Sequence, residues 1–220
     1  MSIPDLDIFL TKSLIDNRYD FSAATKQQFI QYLELLYKWN KVTNLTAIRD
    51  PIEMVMQHIL DSLAILPFLQ GQRFIDVGTG AGLPGIPLAI IQPDKQFFLL
   101  DSNSKKTRFL TQVVLELGLK NVLVIHARCE QFQPEQCFDA VITRAFSSLK
   151  QMLALTQHML CAQGEFLAMK GVYPEDEIKE IPKKFKMIEV HELKIKGLNQ
   201  NRCLVRLELN PGFDQDELHK

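Results

Sequence analysis

The sequence predicts an α/β fold: a mostly parallel, Rossmann-like sheet of seven strands with an antiparallel carboxyl-terminal strand, preceded by a helical extension. Three observations predict it. Apolar residues recur at helical spacing over residues 1–70. From residue 73, short apolar runs alternate with helical stretches. Near the end of the chain, two segments alternate apolar and polar residues. Alternating strands and helices indicate a parallel sheet covered by helices on both faces.

The first unit, residues 1–70, is expected to be a helical extension. Ser22 is a good N-cap, so the first helix is expected to begin after it. Residues 40–44 break the helical spacing and are interpreted as a loop. His58 and Asp61 lie on one helix face, where a hydrogen bond between them would dock the extension near the ligand-binding edge. A surface pair with no functional role is the alternative.

The second unit, residues 71–210, is expected to contain the sheet. Five apolar runs are predicted as parallel strands and two alternating segments as an antiparallel pair: 73–78, 96–101, 122–125, 138–143 and 164–171, then 187–195 and 203–209. Parallel strands need crossover connections, and three helical stretches supply them: 84–92, 104–117 and 148–161. Residues 211–220 form a polar tail.

Size and composition are typical of a soluble globular protein. The chain has 220 residues, of which 46% are hydrophobic and 23% charged, with a net charge of −1. This charge excludes a globally basic nucleic-acid binder but allows a local basic patch. No apolar run approaches the roughly 18 residues that a membrane helix needs, and the acidic start is unlike a signal peptide. We expect a cytoplasmic protein without membrane contact and, since no apolar stripe demands a partner, a monomer.

The cysteines indicate neither a metal site nor a disulfide. Cys129, Cys137, Cys161 and Cys203 form no C-x-x-C pair and no regular framework. The spacing therefore argues against structural zinc and against a secreted disulfide scaffold. We expect reduced thiols, with Cys137 and Cys161 as small buried hydrophobic residues.

A glycine-rich turn follows the first predicted strand and opens the next predicted helix. It reads Asp-Val-Gly-Thr-Gly-Ala-Gly-Leu-Pro-Gly over residues 76–85. Glycines let the backbone turn sharply and approach a ligand closely. Asp101 ends the next predicted strand, where an acid can accept hydrogen bonds from two ribose hydroxyls. The alternative, a turn that serves folding alone, does not account for Asp101.

Two cofactors could use this turn. A dinucleotide needs G-x-G-x-x-G, and Gly80, Gly82 and Gly85 satisfy that spacing. S-adenosylmethionine (SAM) carries a sulfonium and an ammonium, which suit an acid placed just before the glycines. Asp76 stands there, ahead of Gly78. The pattern and the short chain, which leaves little room for a separate substrate domain, favour SAM.

The region after the fourth predicted strand restricts the kind of methyl transfer. It reads Thr143-Arg-Ala-Phe and lacks the Asn/Asp-Pro-Pro-aromatic motif of enzymes that methylate exocyclic amines. Attack through a base carbon needs a cysteine nucleophile, and no cysteine follows a proline. A guanine N7 remains suitable, because its lone pair is free and no proton must leave. Proximity and orientation can then supply most of the acceleration.

Basic residues mark the candidate substrate contacts. Arg144 and Lys170 end neighbouring strands at the carboxyl edge, where ligands bind in open α/β folds. Lys105 opens a basic cluster with Lys106 and Arg108. A second cluster lies among the carboxyl-terminal strands: Lys183, Lys184, Lys186, Lys194, Lys196, Arg202 and Arg206. Such groups give salt-dependent RNA affinity when they face phosphates, whereas a solvated surface is the alternative for any single lysine.

Several segments resemble the bacterial small-subunit rRNA methyltransferase G family, also known as glucose-inhibited division protein B. They are the glycine turn with its Leu-Pro-Gly-Ile-Pro continuation, and the segments starting at Lys38 (KWNKVTNLTA), His58 (HILDSL), Leu100 (LDS) and Thr143 (TRA). The resemblance covers about residues 25–205.

The resemblance implies a class I SAM-dependent methyltransferase fold and N7-methylation of a guanosine in the 530 loop of 16S rRNA, position 527 in ribosomal numbering. It also implies that the family's SAM contacts fall here on Gly78, Leu83, Cys129-Glu130 and Arg144. Arg144 is the one candidate for a catalytic role, and the residues do not decide whether it places SAM or the base. The substrate that the resemblance implies is 16S rRNA, free or within the 30S subunit. Two alternatives stay open: a non-catalytic SAM-binding assembly or regulatory factor, and a small-molecule methyltransferase.

Overall fold

A mixed seven-stranded sheet forms the centre of the molecule, in the order β3-β2-β1-β4-β5-β7-β6. The structure, a computed structural model, describes residues 3–146 and 148–210, and the predicted tail 211–220 lies outside these residues. The strands are β1 (Arg73–Val77), β2 (Gln96–Asp101), β3 (Val122–His126), β4 (Phe138–Arg144), β5 (Leu160–Lys170), β6 (Phe185–Glu192) and β7 (Cys203–Leu209). The predicted mostly parallel sheet with an antiparallel carboxyl-terminal strand is confirmed.

The strand order reverses beside β1. That strand pairs in parallel with β2 on one side and β4 on the other. β5 continues in parallel beside β4, whereas β7 is antiparallel to both of its neighbours. The carboxyl ends of β1 and β4 therefore flank a topological switch point, the usual ligand-binding crevice of such sheets.

Helices cover both faces of the sheet. They are α1 (Ile3–Asp16), α2 (Ala23–Thr43), α3 (Pro51–Met54), α4 (Asp61–Leu63), α5 (Gly85–Ile91), α6 (Ser104–Leu117), α7 (Leu149–Thr156) and α8 (Glu175–Lys179), with a π-helical segment at Val55–Leu60 between α3 and α4. On β1, Ile75 and Val77 face the cluster that contains α7, whereas Phe74 faces the one that contains α5. The extension packs with α5 and α6 in a further cluster.

The extension differs from the prediction in two respects. A helix, α1, precedes Ser22, and its buried apolar residues are Leu6, Leu10 and Leu14, four residues apart. Ser22 does cap α2, since its hydroxyl accepts a hydrogen bond from the Thr25 N–H at 3.1 Å. The prediction that the first helix follows this cap was wrong because it overlooked the leucine spacing.

The predicted loop at residues 40–44 was also wrong, because α2 continues to Thr43. Only Asn44 leaves the helix, with a φ of 48°. Asn40 is buried within the helix, and its amide bonds the backbone of Thr46 at 2.9 Å and of Ile48 at 3.2 Å. Asn40 therefore stays within the helix, because its side chain forms hydrogen bonds with the backbone of the segment that follows α2.

The structure places a disulfide between Cys137 and Cys161, which corrects the expectation of buried, reduced thiols at both positions. Cys137 is exposed and Cys161 is half-buried. The residues after and before them, Phe138 and Leu160, are paired at the starts of β4 and β5, which brings the cysteines together. β5 begins at Leu160, so the predicted helix over 148–161 is shorter than expected. Cys129 and Cys203 are free thiols.

The described residues contain no helix long and apolar enough to cross a membrane.

Candidate functional site

The glycine loop, residues 78–85, joins β1 to α5 at the carboxyl edge of the sheet. Gly78, Gly80 and Gly82 have φ values of +70°, +61° and +89°. These are left-handed conformations that favour glycine. The Gly78 N–H donates to the Leu100 carbonyl at 2.8 Å, which anchors the loop to β2. A Cβ built on Gly78 or Gly80 would meet no atom closer than 3.8 Å, so space remains beside both.

Asp76 holds the loop from beneath. Its side chain is 1% exposed, and its Oδ2 accepts hydrogen bonds from the Thr79 hydroxyl at 2.7 Å and the Gly85 N–H at 2.9 Å. Burial raises the pKa of Asp76 to about 6, although these hydrogen bonds and Arg144 act against that shift. The other oxygen, Oδ1, is buried and has no partner among the described residues. Asp76 thus positions the loop through Oδ2, while Oδ1 can still accept a hydrogen bond.

Asp101, at the end of β2, braces the loop from the side. Its Oδ2 accepts from the Gly80 N–H at 2.9 Å, and its Oδ1 accepts from the Asn103 N–H at 2.8 Å. Lys106 lies 3.5 Å from Oδ2. A carboxylate has about four lone-pair sites, so Asp101 can accept further hydrogen bonds. It therefore combines a structural contact with free acceptor capacity.

Leu83 and the Cys129-Glu130 pair make local contacts within the chain. The Leu83 side chain is 3% exposed, and its N–H donates to the Thr79 carbonyl at 3.0 Å. The Cys129 thiol donates to the Glu130 carboxylate at 3.2 Å. Burial, followed by this carboxylate, raises the pKa of Cys129 to about 11, so the thiol stays protonated near neutral pH. A hydrogen bond from its own backbone N–H, followed by the Cys129 contact, lowers the pKa of Glu130.

Arg144 and Arg202 share one carboxylate. Arg144 Nη1 donates to Asp61 Oδ2 at 3.1 Å and to the Gln57 carbonyl at 3.0 Å. Arg202 Nε donates to Asp61 Oδ1 at 3.0 Å. The Asp61 side chain is only 4% exposed. One acid from the helical extension thus joins two predicted site residues, and two cations against one anion leave a net positive charge.

The predicted hydrogen bond between His58 and Asp61 is not formed. His58 Nε2 lies 3.1 Å from the Thr46 hydroxyl instead, and its Nδ1 is buried without a partner among the described residues. Burial, with Arg144 as a second cause, lowers the pKa of His58 to about 4. The ring is therefore neutral near pH 7, and the extension is linked to Arg144 through Asp61 and the Gln57 carbonyl, without His58.

The other two predicted RNA contacts lie apart from this pair of arginines. Lys170 Nζ lies 2.8 and 3.1 Å from the two carboxylate oxygens of Glu177. Lys105 is exposed in the first turn of α6, beyond Asp101. The structure thus brings Arg144 and Arg202 together, with Lys170 ending the strand beside Arg144 and Lys105 on the far side of the loop.

Tyr32 is a site residue that the sequence did not indicate. Its hydroxyl donates to the Ala81 carbonyl of the glycine loop at 2.8 Å, and the whole side chain is buried. Burial raises its pKa, so the hydroxyl stays protonated and can act as the donor. Tyr32 lies among the apolar residues of α2, where helical spacing alone indicates a core position.

Among residues 3–146 and 148–210, no group of three or more His, Cys, Asp or Glu side chains is arranged to hold a metal ion.

Comparison with known families gives a match over most of the chain. The model of a family described as "rRNA small subunit methyltransferase G" matches residues 25–205. A ribosomal RNA small subunit methyltransferase G of Psychromonas ingrahamii is 50% identical over 199 residues, which cover 90% of this chain and 96% of the relative. Its counterpart in Hydrogenovibrio crunogenus is 54% identical over 181 residues, covering 82% and 84%.

Solved structures of low sequence identity share the fold. A SAM-dependent methyltransferase from Aquifex aeolicus is 19% identical, with a TM-score of 0.58, and the match covers 79% of this chain and 97% of the other. The glycopeptide N-methyltransferase MtfA in complex with SAM is 9% identical, with a TM-score of 0.61, covering 70% and 87%. These likenesses establish the arrangement of the sheet and helices.

Proposed function

The chain belongs to the rRNA small subunit methyltransferase G family, and from this membership we propose that it transfers a methyl group from SAM to N7 of a guanosine in the 530 loop of 16S rRNA. The observation that carries the proposal is the match of the family model over residues 25–205, which include the whole glycine loop and its supporting acids.

The residues at the carboxyl edge fit SAM. When bound, SAM supplies an electrophilic methyl carbon on a sulfonium. Gly78 and Gly80 leave room for a ligand against the backbone, and the spare acceptor sites of Asp101 suit ribose hydroxyls. The unpartnered Oδ1 of Asp76 suits the cationic part of the molecule. We expect Leu83 and the Cys129-Glu130 pair to border the cofactor.

Arg144 is proposed to place the substrate. Asp61 and the Gln57 carbonyl hold its Nη1, and a guanidinium has five N–H donors, so others remain for a carbonyl or phosphate oxygen. Because N7 of guanine carries a free lone pair, the chain needs to orient the base and exclude water, and no side chain has to remove a proton.

The partner is proposed to be 16S rRNA, free or within the 30S subunit, and the protein is proposed to act as a cytoplasmic monomer. Lys170, Arg202 and Lys105 are proposed RNA contacts around the site.

The test is transfer of labelled methyl from SAM to 30S subunits and to naked 16S rRNA prepared from cells that lack this gene. We expect the label on a guanine N7 of the 530 loop. Calorimetry in parallel measures SAM binding. Binding without transfer to either RNA would contradict the proposal and favour a non-catalytic factor, and salt-insensitive methylation of a small acceptor would favour a small-molecule enzyme.

A further inference from the structure

Most cations of the basic cluster of the carboxyl-terminal strands are paired with carboxylates of the same chain. Five of its members form ion pairs: Lys186 with Glu208, Lys194 with Glu192, Lys196 with Asp16, Arg202 with Asp61, and Arg206 with Glu165. A phosphate that approached these cations would have to compete with a carboxylate already present. This cluster is therefore a weaker RNA surface than its composition suggests.

A different group of cations has no such partners. We call it the basic face, and it consists of Lys38, Lys41, Arg49, Lys105 and Arg108. All five are exposed, and none forms an ion pair with any residue that the structure describes. Lys41 lies over the ring of Tyr37 at 4.3 Å, and Arg49 donates to the Asn44 side chain at 3.0 Å. Both contacts leave the positive charge uncompensated.

Packing between α2 and α6 brings these residues to one side of the molecule. Near the start of α2, Gln28 donates to the Leu117 carbonyl at the end of α6, at 3.2 Å. Later in α2, Trp39 donates to Gln112 at 3.0 Å, one turn or more before Leu117. The two helices are therefore antiparallel, and the end of α2 lies beside the start of α6.

The individual positions agree with this placement. Lys105, Arg108 and Gln112 are three and four residues apart and share a face of α6. Since Gln112 contacts Trp39, the stripe with Lys105 and Arg108 runs beside the end of α2, where Lys38 and Lys41 lie. Arg49 joins them because its guanidinium binds Asn44, the residue that ends α2.

The basic face adjoins the glycine loop. α6 begins three residues after Asp101, whose carboxylate accepts the Gly80 N–H. Lys106, next to Lys105, lies 3.5 Å from the same carboxylate. The face therefore extends outward from the rim of the site. The side chain of Tyr37 is 40% exposed within it and offers a ring on which a base can stack.

We propose that the basic face binds the phosphate backbone of the RNA that flanks the target nucleotide; the proposal rests on the proposed function and adds the surface through which the substrate docks. Five uncompensated cations next to a site for an RNA base match a polyanion. Binding releases the counterions of the phosphates, so each contact makes affinity fall more steeply with salt, by about 0.7 to 0.9 in the slope of log K against log salt.

The experiment compares the parent with the triple variant Lys38→Gln/Lys41→Gln/Arg108→Gln. The dissociation constant for a 16S rRNA fragment that contains the 530 loop is measured from about 50 to 200 mM salt. We expect the salt slope of the variant to be shallower by about 2 to 3 and its affinity at the lowest salt to fall by about tenfold or more. SAM affinity and melting temperature should stay at the parental values.

The matched control is Lys186→Gln/Lys194→Gln/Lys196→Gln, which removes the same charge from ion-paired positions. It should keep the parental salt slope. An unchanged slope in the basic-face variant, or an equal loss in both variants, would overturn the inference. Because binding is measured apart from turnover, a parent that binds RNA through this face but transfers no methyl would contradict the proposed function alone.

Discussion

At the scale of single residues, the site depends on acids that each serve several partners. Asp61 binds two arginines, Asp76 binds Thr79 and Gly85, and Asp101 supports the glycine loop. A buried carboxylate with good partners is stable, but removal of its charge leaves the partners uncompensated. Substitutions at these positions should therefore change the placement of site residues as well as stability.

Substitution of Asp61 by Asn should reduce methyl transfer by at least tenfold and lower the free energy of unfolding by about 2 to 4 kcal/mol. The change keeps the shape of the side chain but removes the anion between Arg144 and Arg202. Single-turnover transfer and thermal unfolding measure the two effects. SAM affinity should change less than turnover, and a variant with parental turnover would contradict the positioning of Arg144 by Asp61.

Substitution of Gly85 by Ala should lower the free energy of unfolding by about 1 to 3 kcal/mol and weaken SAM binding. The new Cβ would overlap a methyl of Leu99 and lie 2.9 Å from Asp76 Oδ2, so the loop has to shift. Urea unfolding and calorimetry measure both changes. Gly171→Ala is the control, since its Cβ would meet nothing within 4 Å. Equal stability of the two variants would contradict this account.

At the scale of elements, the sequence predicts best where the pattern of apolar residues is local and regular. The bounds of β2 and β7 agree with the prediction, because β2 is an apolar run that ends at Asp101 and β7 is a segment that alternates apolar and polar residues. The glycine loop was also predictable, because its signals, the glycines and Asp76, lie close together in the sequence. The contact between Asp61 and Arg202 was not, because it joins residues 141 positions apart.

His58, in the π-helical segment before α4, should make the extension sensitive to acid. Burial lowers its pKa to about 4 from an ordinary value of 6.5. Below about pH 6.5 the unfolded chain binds a proton that the folded chain does not, so the free energy of unfolding should fall as the pH drops from 6.5 towards 4. The loss from this one residue is on the order of 3 kcal/mol.

His58→Gln should remove this loss, and denaturant unfolding of both proteins across that pH range measures it. Asp76 has the opposite effect on the free energy of unfolding. Burial raises its pKa to about 6, so the folded chain binds a proton that the unfolded chain does not, and this contribution to stability grows as the pH falls through 6. Both proteins contain Asp76, so the difference between their pH profiles isolates His58. The same pH dependence of the free energy of unfolding in both proteins would contradict the lowered pKa of His58.

At the scale of the whole molecule, site and stability are linked, because the glycine loop contacts the extension through Tyr32 and β2 through Leu100. A ligand that binds only the folded chain stabilises it by about 2.7 kcal/mol at one hundred times its dissociation constant. SAM at that concentration should raise the melting temperature by about 5 to 10 °C. A scan with and without SAM measures the shift, and Asp101→Ala, which removes acceptors for the ribose, should reduce it. An identical shift in that variant would contradict the role of Asp101.

The hydrogen bonds that hold the end of α1 have a consequence for folding during synthesis. Asn17, at its end, exchanges two hydrogen bonds with the backbone of Lys196, 179 residues later, and its leucines share a cluster with Ile195. At ribosomal rates of about 5 to 20 residues per second, the first helix waits roughly 10 to 35 s for these partners. α1 can therefore reach its final position only after Lys196 has been made, although α2, which packs in the same cluster, follows α1 directly in the chain.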